Sequence, residues 1–298
     1  MTDSPTIGFI GLGVMGGPMC RNVVLKHAGR VIGFDMNDQA FSILNDTKGE
    51  RAASVSALSV HSDFVLLSLP GGPQVKAVAA EVARHAKPGT TIVDLSTTPV
   101  ALAREVAEFL ATQDIYFADA PVARTREAAK RGELSIMVGA APQVFERINP
   151  ILDYMATDIT HGGDVGAGQV LKLVNNMLVF EHVVTLAEMI VLGERAGVKA
   201  ETLLDAVSKG SGDSFVLRNH GRKSMLPRDF PERSFPPEYV LKDIDYVFQL
   251  AAETGVPIKA AETVRRYYEM AVEKGLGGRY FPGVIRLVED GSMSEGSK

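Results

Sequence analysis

This chain reads as an α/β domain with a mostly parallel, doubly wound sheet, followed by an all-helical domain, the two joined by one long helix. Three observations carry that reading. Short apolar runs alternate with helix-length segments through the first half. A glycine-rich turn separates the first apolar run from the first helical segment. Strand-like runs stop near Gly162, and helix formers take over.

The apolar runs are Thr6–Ile10, Val31–Phe34, Asp63–Leu69, Thr91–Leu95, Ile115–Ala118 and Ser135–Val138. Pro73–His85, Pro99–Leu110 and Pro142–Met155 lie between or after them with helical length and period. Strand and helix in alternation imply a parallel sheet covered on both faces. Each of the three prolines sits where a first helical turn can begin, since proline's fixed φ and missing N–H suit that position. Val165 to Arg195 is free of proline and closed by Gly197, a helix of about 45 Å at about 1.5 Å per residue. Lys199–Lys209, Glu238–Glu253 and Ile258–Glu273 follow as helices, and the four prolines of Met225–Pro237 mark a loop. The expected domains are residues 1–163 and 164–298.

Composition excludes several classes. The net charge of −5 gives no basic field for nucleic acid. No apolar run is expected to reach the roughly 18–20 residues that span a bilayer, and Met1–Pro5 lacks a signal-peptide pattern. A single cysteine, Cys20, rules out an intrachain disulfide framework and fits a reducing, cytoplasmic home. The scattered histidines lack metal-ligand spacing, so no metal is expected.

The strongest local signal is Gly11-Leu12-Gly13-Val14-Met15-Gly16. After a strand and before a helix, the first glycine makes the tight turn. The second lets backbone approach a pyrophosphate, and the third lets the helix sit close to the strand. The helix N-terminus then offers free N–H groups to phosphates. The second strand ends at Asp35, 24 positions after Gly11. Its carboxylate suits ribose hydroxyls and repels a 2′-phosphate, and neither Met36 nor Asn37 supplies a compensating charge. NAD is therefore the expected cofactor.

A side chain must take the proton when an alcohol yields its hydride. Lys172 and Asn176 are four apart and share a helix face. Leu171, Leu173 and Val174 around the lysine would favour its neutral form by desolvation. On spacing alone, such a pair is more often a solvated helix face.

Four blocks together decide between these readings: Gly11–Gly16; Asp94-Leu95-Ser96-Thr97; Asp119-Ala120-Pro121-Val122 with Gly132–Gly139; and Gly166–Asn176. Lys242-Asp243 is a fifth, shorter one. With them the chain resembles the 3-hydroxyisobutyrate dehydrogenase, or β-hydroxyacid dehydrogenase, family over essentially its whole length. The resemblance implies a Rossmann-type domain followed by a helical one, with a homodimer or homotetramer joined through the latter. It implies Lys172 as general acid/base and Asn176 as its substrate-binding partner. Ser96 and Thr97 would line the nicotinamide side, and Leu69-Pro70 would be a cofactor-contacting turn. Lys242 would close over the cleft toward substrate and cofactor.

The family usually continues with Ser-Gly-Gly after the position of Val122. Here Ala123-Arg124-Thr125-Arg126 follows. Val122, Arg124 and Thr125 are the expected substrate-side residues, with the Arg124 fork on the substrate's anion. This pattern is similar to that of sulfolactaldehyde reductase, the branch that grips a sulfonate. The alternative is an Arg124 that faces solvent. Arg218, Arg222, Lys223, Arg228 and Arg233 form a basic stretch that could steer an anionic substrate, although a solvated face is the commoner case.

The implied activity is hydride transfer between NAD and a short anionic 3-hydroxy acid or its semialdehyde. Candidate substrates are 3-hydroxyisobutyrate, glycerate with tartronate semialdehyde, 4-hydroxybutyrate, L-serine and a sulfonated aldehyde. Imine reduction and a non-catalytic interaction module of the same fold are the competing readings, and Lys172 argues against both.

Overall fold

The computed structural model describes residues 4–232 and 234–292. Contacts divide the chain into two units, Met1–Lys172 and Leu173–Lys298.

The first unit holds all nine strands found among the described residues. They are β1 (Ile7–Ile10), β2 (Val31–Phe34), β3 (Glu50–Arg51), β4 (Phe64–Leu67), β5 (Thr91–Asp94), β6 (Tyr116–Asp119), β7 (Val122–Ala123), β8 (Leu134–Gly139) and β9 (Ala156–Gly163). Its helices are α1 (Gly16–Lys26), α2 (Val55–His61), α3 (Gly72–Ala83), α4 (Val100–Ala111), α5 (Arg126–Arg131) and α6 (Pro142–Leu152).

The sheet order is β3-β2-β1-β4-β5-β6-β8-β7, with β9 paired to β8. From β3 to β6 every pairing is parallel. The chain reverses direction of travel across the sheet at β1, so the β1–β4 crevice is the switch point where such sheets bind ligands. Beyond β6 the sheet is mixed: β8 runs antiparallel to β6 and β7 and parallel to β9.

Parallel strands buried on both faces read as continuous apolar runs. Ile7–Ile10, Phe64–Leu67 and Thr91–Asp94 are buried throughout. One face packs on Met19, Val23, Val144 and Ile148, from α1 and α6. The other packs on Leu58, Val75, Val82 and Leu110, from α2, α3 and α4. Pro142 stands in the first turn of α6, and Pro73 in that of α3. Pro99 is instead the residue that precedes α4, with φ −58° and ψ 142°. Helix α6 ends at Leu152 rather than Met155, and the chain then enters β9.

Helix α7 (Ala167–Arg195) begins in the first unit and continues through the second. Among its described residues the second unit also holds α8 (Ala200–Val207), a π-helical segment Leu217–Met225, α9 (Pro237–Thr254), α10 (Lys259–Glu273), a 3-10 turn Phe281–Val284 and α11 (Ile285–Glu289). By length and hydropathy α7 passes as a membrane span, yet 44% of the qualifying window is buried inside the fold. Its Phe180, Val183, Val184 and Ile190 form the core of this unit with Leu204, Ile244, Tyr268 and Phe281.

Candidate active site

The glycine turn has the geometry its sequence demands. Gly11 has φ +94°, and a Cβ there would lie 2.1 Å from the Ser68 carbonyl oxygen. A left-handed residue pressed against backbone must be glycine. A Cβ on Gly16 would lie 1.9 Å from the Gly11 oxygen, so α1 can approach β1 only without a side chain there. Gly13 is the opposite case: nothing stands within 4 Å of where its Cβ would be. That open space fits a pyrophosphate on the backbone. Helix α1 has no side-chain cap and no acid in its first turn, which leaves its N–H groups and positive end to an anion. A groove of about 510 Å³ beside the turn is lined by Leu12, Gly13 and Val14 with the cations Arg21, Arg126 and Lys130. Met15, half-buried, completes the turn.

Asp35 follows β2 and is half-buried. Its Oδ2 accepts from Leu12 N–H at 2.7 Å, and its Oδ1 accepts from Asn37 N–H at 2.7 Å. The acid thus ties the glycine turn to the end of the neighbouring strand. The cation on the adjacent strand, Arg51, is paired with Asp38 and stacks on Phe41 at 4.2 Å.

A second set of residues meets at the C-terminal ends of β5 and β6. Asp119 is fully buried at the end of β6. Its Oδ1 accepts from Gly166 N–H at 2.6 Å and its Oδ2 from Gln169 N–H at 2.7 Å, a carboxylate cap on α7. Gln169, also fully buried, donates through Nε2 to the Ser96 carbonyl at 2.9 Å. Its Oε1 accepts from Thr98 N–H at 3.0 Å. The Ser96 hydroxyl accepts from Leu69 N–H at 2.9 Å, and Ser96 N–H donates to Asp94 Oδ1 at 2.9 Å. Burial pushes the Asp94 carboxyl up to about 7, against the pull of the Ser96 hydrogen bonds. Burial also pushes Asp119 up to about 6, against its two N–H donors and Arg104.

Glycines make this contact possible. A Cβ on Gly139 would lie 2.5 Å from Asp119 Oδ1, and one on Gly168 would lie 2.4 Å from the Met137 oxygen. Gly166 has φ +96°, the left-handed turn by which the chain enters α7. Lys172 follows in the second turn, half-buried. Of the three apolar neighbours expected to desolvate it, only Leu173 is buried; Leu171 is 37% and Val174 52% exposed. The greasy collar read from the sequence is therefore one-sided.

The loop after β6 departs from expectation. Arg124 has φ +85°, a left-handed conformation that favours glycine. Its guanidinium donates to the Glu133 carbonyl at 2.8 Å, to Thr157 Oγ1 at 2.8 Å and to Asp158 Oδ2 at 2.5 Å. The fork expected on a substrate anion is instead a brace from this loop to β9. The Thr125 hydroxyl caps α5 by accepting from Ala128 N–H. Val122 is half-buried in β7, facing Ile136 in register. Thr97 is half-buried and Pro70 exposed at the ends of β5 and β4.

In the second unit, Asn176 Nδ2 donates to Asp243 Oδ2 at 2.8 Å, and both residues are buried. Lys242 Nζ stands 3.2 Å from Asp243 Oδ1 and lies over the rings of Tyr239 and Tyr246. The basic stretch is largely matched by acids: Arg218 with Asp213, Arg222 with Asp205, and Arg228 with Glu194 and Glu289. Arg233 lies outside the described residues.

Residues 6–163 match the NAD binding domain of 6-phosphogluconate dehydrogenase, and residues 166–288 match the NAD-binding domain of NADP-dependent 3-hydroxyisobutyrate dehydrogenase. The chain is 34% identical over 292 residues to 2-(hydroxymethyl)glutarate dehydrogenase of Eubacterium barkeri, covering 97% of this chain and 96% of that one. It belongs to the 3-hydroxyisobutyrate dehydrogenase family. The probable 3-hydroxyisobutyrate dehydrogenase of Mycobacterium tuberculosis is 32% identical over 262 residues, 84% of this chain and 86% of that one. The solved Mycobacterium tuberculosis 3-hydroxyisobutyrate dehydrogenase with L-serine has a TM-score of 0.88 at 29% identity, covering 96% of this chain and 99% of the other.

As a β-hydroxyacid dehydrogenase, the chain is an NAD-dependent oxidoreductase with a Rossmann domain and a helical C-terminal domain. Asp94, Asp119, Gln169 and Asp243 fall within the family's blocks, but spacing along the chain assigns none of them a role. Their hydrogen bonds reach across as many as 73 residues, a relation no local spacing carries. The signal that could have marked Asp119 is an acid closing a buried strand, where an unpaired carboxylate is costly.

Proposed function

We propose that this dehydrogenase exchanges a hydride between NAD and short 3-hydroxy acids, with Lys172 as the general acid/base. The observation that carries the reading is the clamp on Gln169, one turn before Lys172. It ties the start of α7 to the loop that holds Ser96 and Leu69, on the strand ends where a Rossmann sheet takes its ligand.

Gly11–Gly16 and the N-terminus of α1 would hold the pyrophosphate of NAD, and Asp35 the adenosine ribose. Leu69, Pro70 and Thr97 would lie toward the nicotinamide. The bound cofactor supplies the hydride acceptor, or the donor in the reverse direction. Lys172 takes the hydroxyl proton as the C–H hydride leaves, which yields the semialdehyde. In reduction the same ammonium returns the proton to the carbonyl oxygen. Asn176 and Lys242 would contact the substrate. The uncompensated acid at Asp35 favours NAD over NADP.

The compounds named with the relatives narrow the substrate class. 3-Hydroxyisobutyrate, 2-(hydroxymethyl)glutarate and L-serine all carry a hydroxymethyl group on the carbon that bears a carboxylate. The proposed substrate is an acid of this pattern. The sulfonated-aldehyde reading depended on the Arg124 fork, which here serves Asp158 and Thr157.

Lys172→Ala tests the assignment. NADH binding should persist while kcat falls by roughly 10²–10⁴-fold, the usual contribution of a positioned acid/base. A variant that keeps the parent's kcat would remove Lys172 from the chemistry.

A further inference from the structure

The contacts of Asp119 and Gln169 exceed what a helix cap needs. A cap satisfies orphan N–H groups at the first turn, and water or a surface side chain can do that. Here one fully buried carboxylate takes two N–H groups of that turn. Gln169 then uses both ends of its amide on one loop, donating to the Ser96 carbonyl and accepting from Thr98 N–H. A donor and an acceptor used together fix the rotation of the helix as well as its height. Gly139 and Gly168 leave no slack, since a Cβ on either would enter the space of Asp119. Ser96 passes the constraint on to the Leu69 turn through its hydroxyl.

Gln169 and Lys172 are three residues apart, so they are neighbours on one helix face. A slip of one residue at the start of α7 would turn Lys172 through about 100° and move it by about 1.5 Å. A misplacement of about 1 Å at a reacting centre can cost roughly 10²-fold in rate.

We infer that Asp119 and Gln169 are positioning residues, which set the height and rotation of Lys172 against the loop of Ser96 and Leu69. The inference rests on Lys172 as the acid/base. It gives two buried residues a share of the rate although neither meets substrate.

The test is a double-mutant cycle. Gln169→Glu is isosteric; once ionised, at a pH above the raised range of a buried carboxyl, it keeps an acceptor for Thr98 N–H and turns the donor to Ser96 into a second acceptor. Gln169→Met removes both bonds without adding charge. Each is made in the parent and in Lys172→Ala, and kcat, KM for both substrates, NADH affinity and the melting temperature are measured. The expected result is a loss in kcat of roughly 10-fold or more in the parent background, with NADH affinity retained. In the Lys172→Ala background the same substitutions should change the residual rate little, because their effect passes through the lysine. The pH profile of kcat should also shift in the Gln169 variants, since a displaced amine titrates in different surroundings.

Equal losses in both backgrounds, or an unchanged kcat in a folded Gln169 variant, would overturn the inference. If Gln169→Met does not fold, Gln169→Glu and Asp119→Asn decide by the same cycle. A Lys172→Ala enzyme that retains full activity would instead sink the acid/base assignment, and the two failures are separable.

Discussion

Asn176 gives its side-chain N–H to a buried carboxylate oxygen of Asp243 at 2.8 Å, while Asn176 Oδ1 accepts from Asn175 Nδ2 at 3.2 Å. The Asn176 amide is therefore held in one orientation. Asp243→Ala should free it and remove the carboxylate beside Lys242. Stripping the partner from a buried amide costs about 1–3 kcal/mol, readable as a lower urea midpoint. The KM for the hydroxy acid should rise while NADH affinity holds. An unchanged KM would mean that the orientation of Asn176 does not matter to the substrate.

Asp94 and Asp119 give the pH dependence a definite sign. Their carboxyls are pushed up to about 7 and about 6, from an ordinary value of about 3.9. Between those limits the folded chain binds protons that the unfolded chain has released. These groups therefore make stability fall as pH rises from about 4 to about 7. Asp94→Asn removes one of the two titrations. Urea midpoints at about pH 5 and about pH 8 should differ less for that variant than for the parent. An equal difference would show that burial does not raise the Asp94 carboxyl.

Arg124 separates backbone cost from side-chain gain. Its left-handed φ of +85° is disfavoured for any residue with a Cβ, and its contacts to Glu133, Thr157 and Asp158 offset that. Arg124→Ala keeps the backbone penalty and loses the brace, whereas Arg124→Gly loses both. Alanine should be the less stable by about 1–2 kcal/mol, measured by urea unfolding. The KM for the hydroxy acid should be similar in parent and glycine variant. A large rise in both variants would return the guanidinium to the substrate.

The parts legible in the sequence share one property: their causes are local. The strands from Ile7 and Phe64 are buried on both faces and show as unbroken apolar runs. The glycine turn announced itself because Gly11 and Gly16 each lack room for a side chain. Strand β9 left no such mark, since all seven of its residues after Ala156 are half- or fully exposed and it reads as polar loop. Strands β3 and β7 are two residues long, too short for any period. The part of Gln169 and the brace of Arg124 depend on partners 71–73 and 33–34 residues away. Neither relation has a counterpart in spacing along the chain.

The room for a side chain at Gly13 has a practical edge for anyone evolving this enzyme. Replacing a glycine where backbone and space permit a methyl group generally hardens a protein, because the unfolded chain loses freedom. Gly13 is not left-handed, and nothing crowds it. A heat challenge on ligand-free protein would thus reward alanine there, while the dinucleotide lost its seat. Libraries sorted by thermal survival need NADH present throughout, or they will enrich sturdy molecules that no longer turn over.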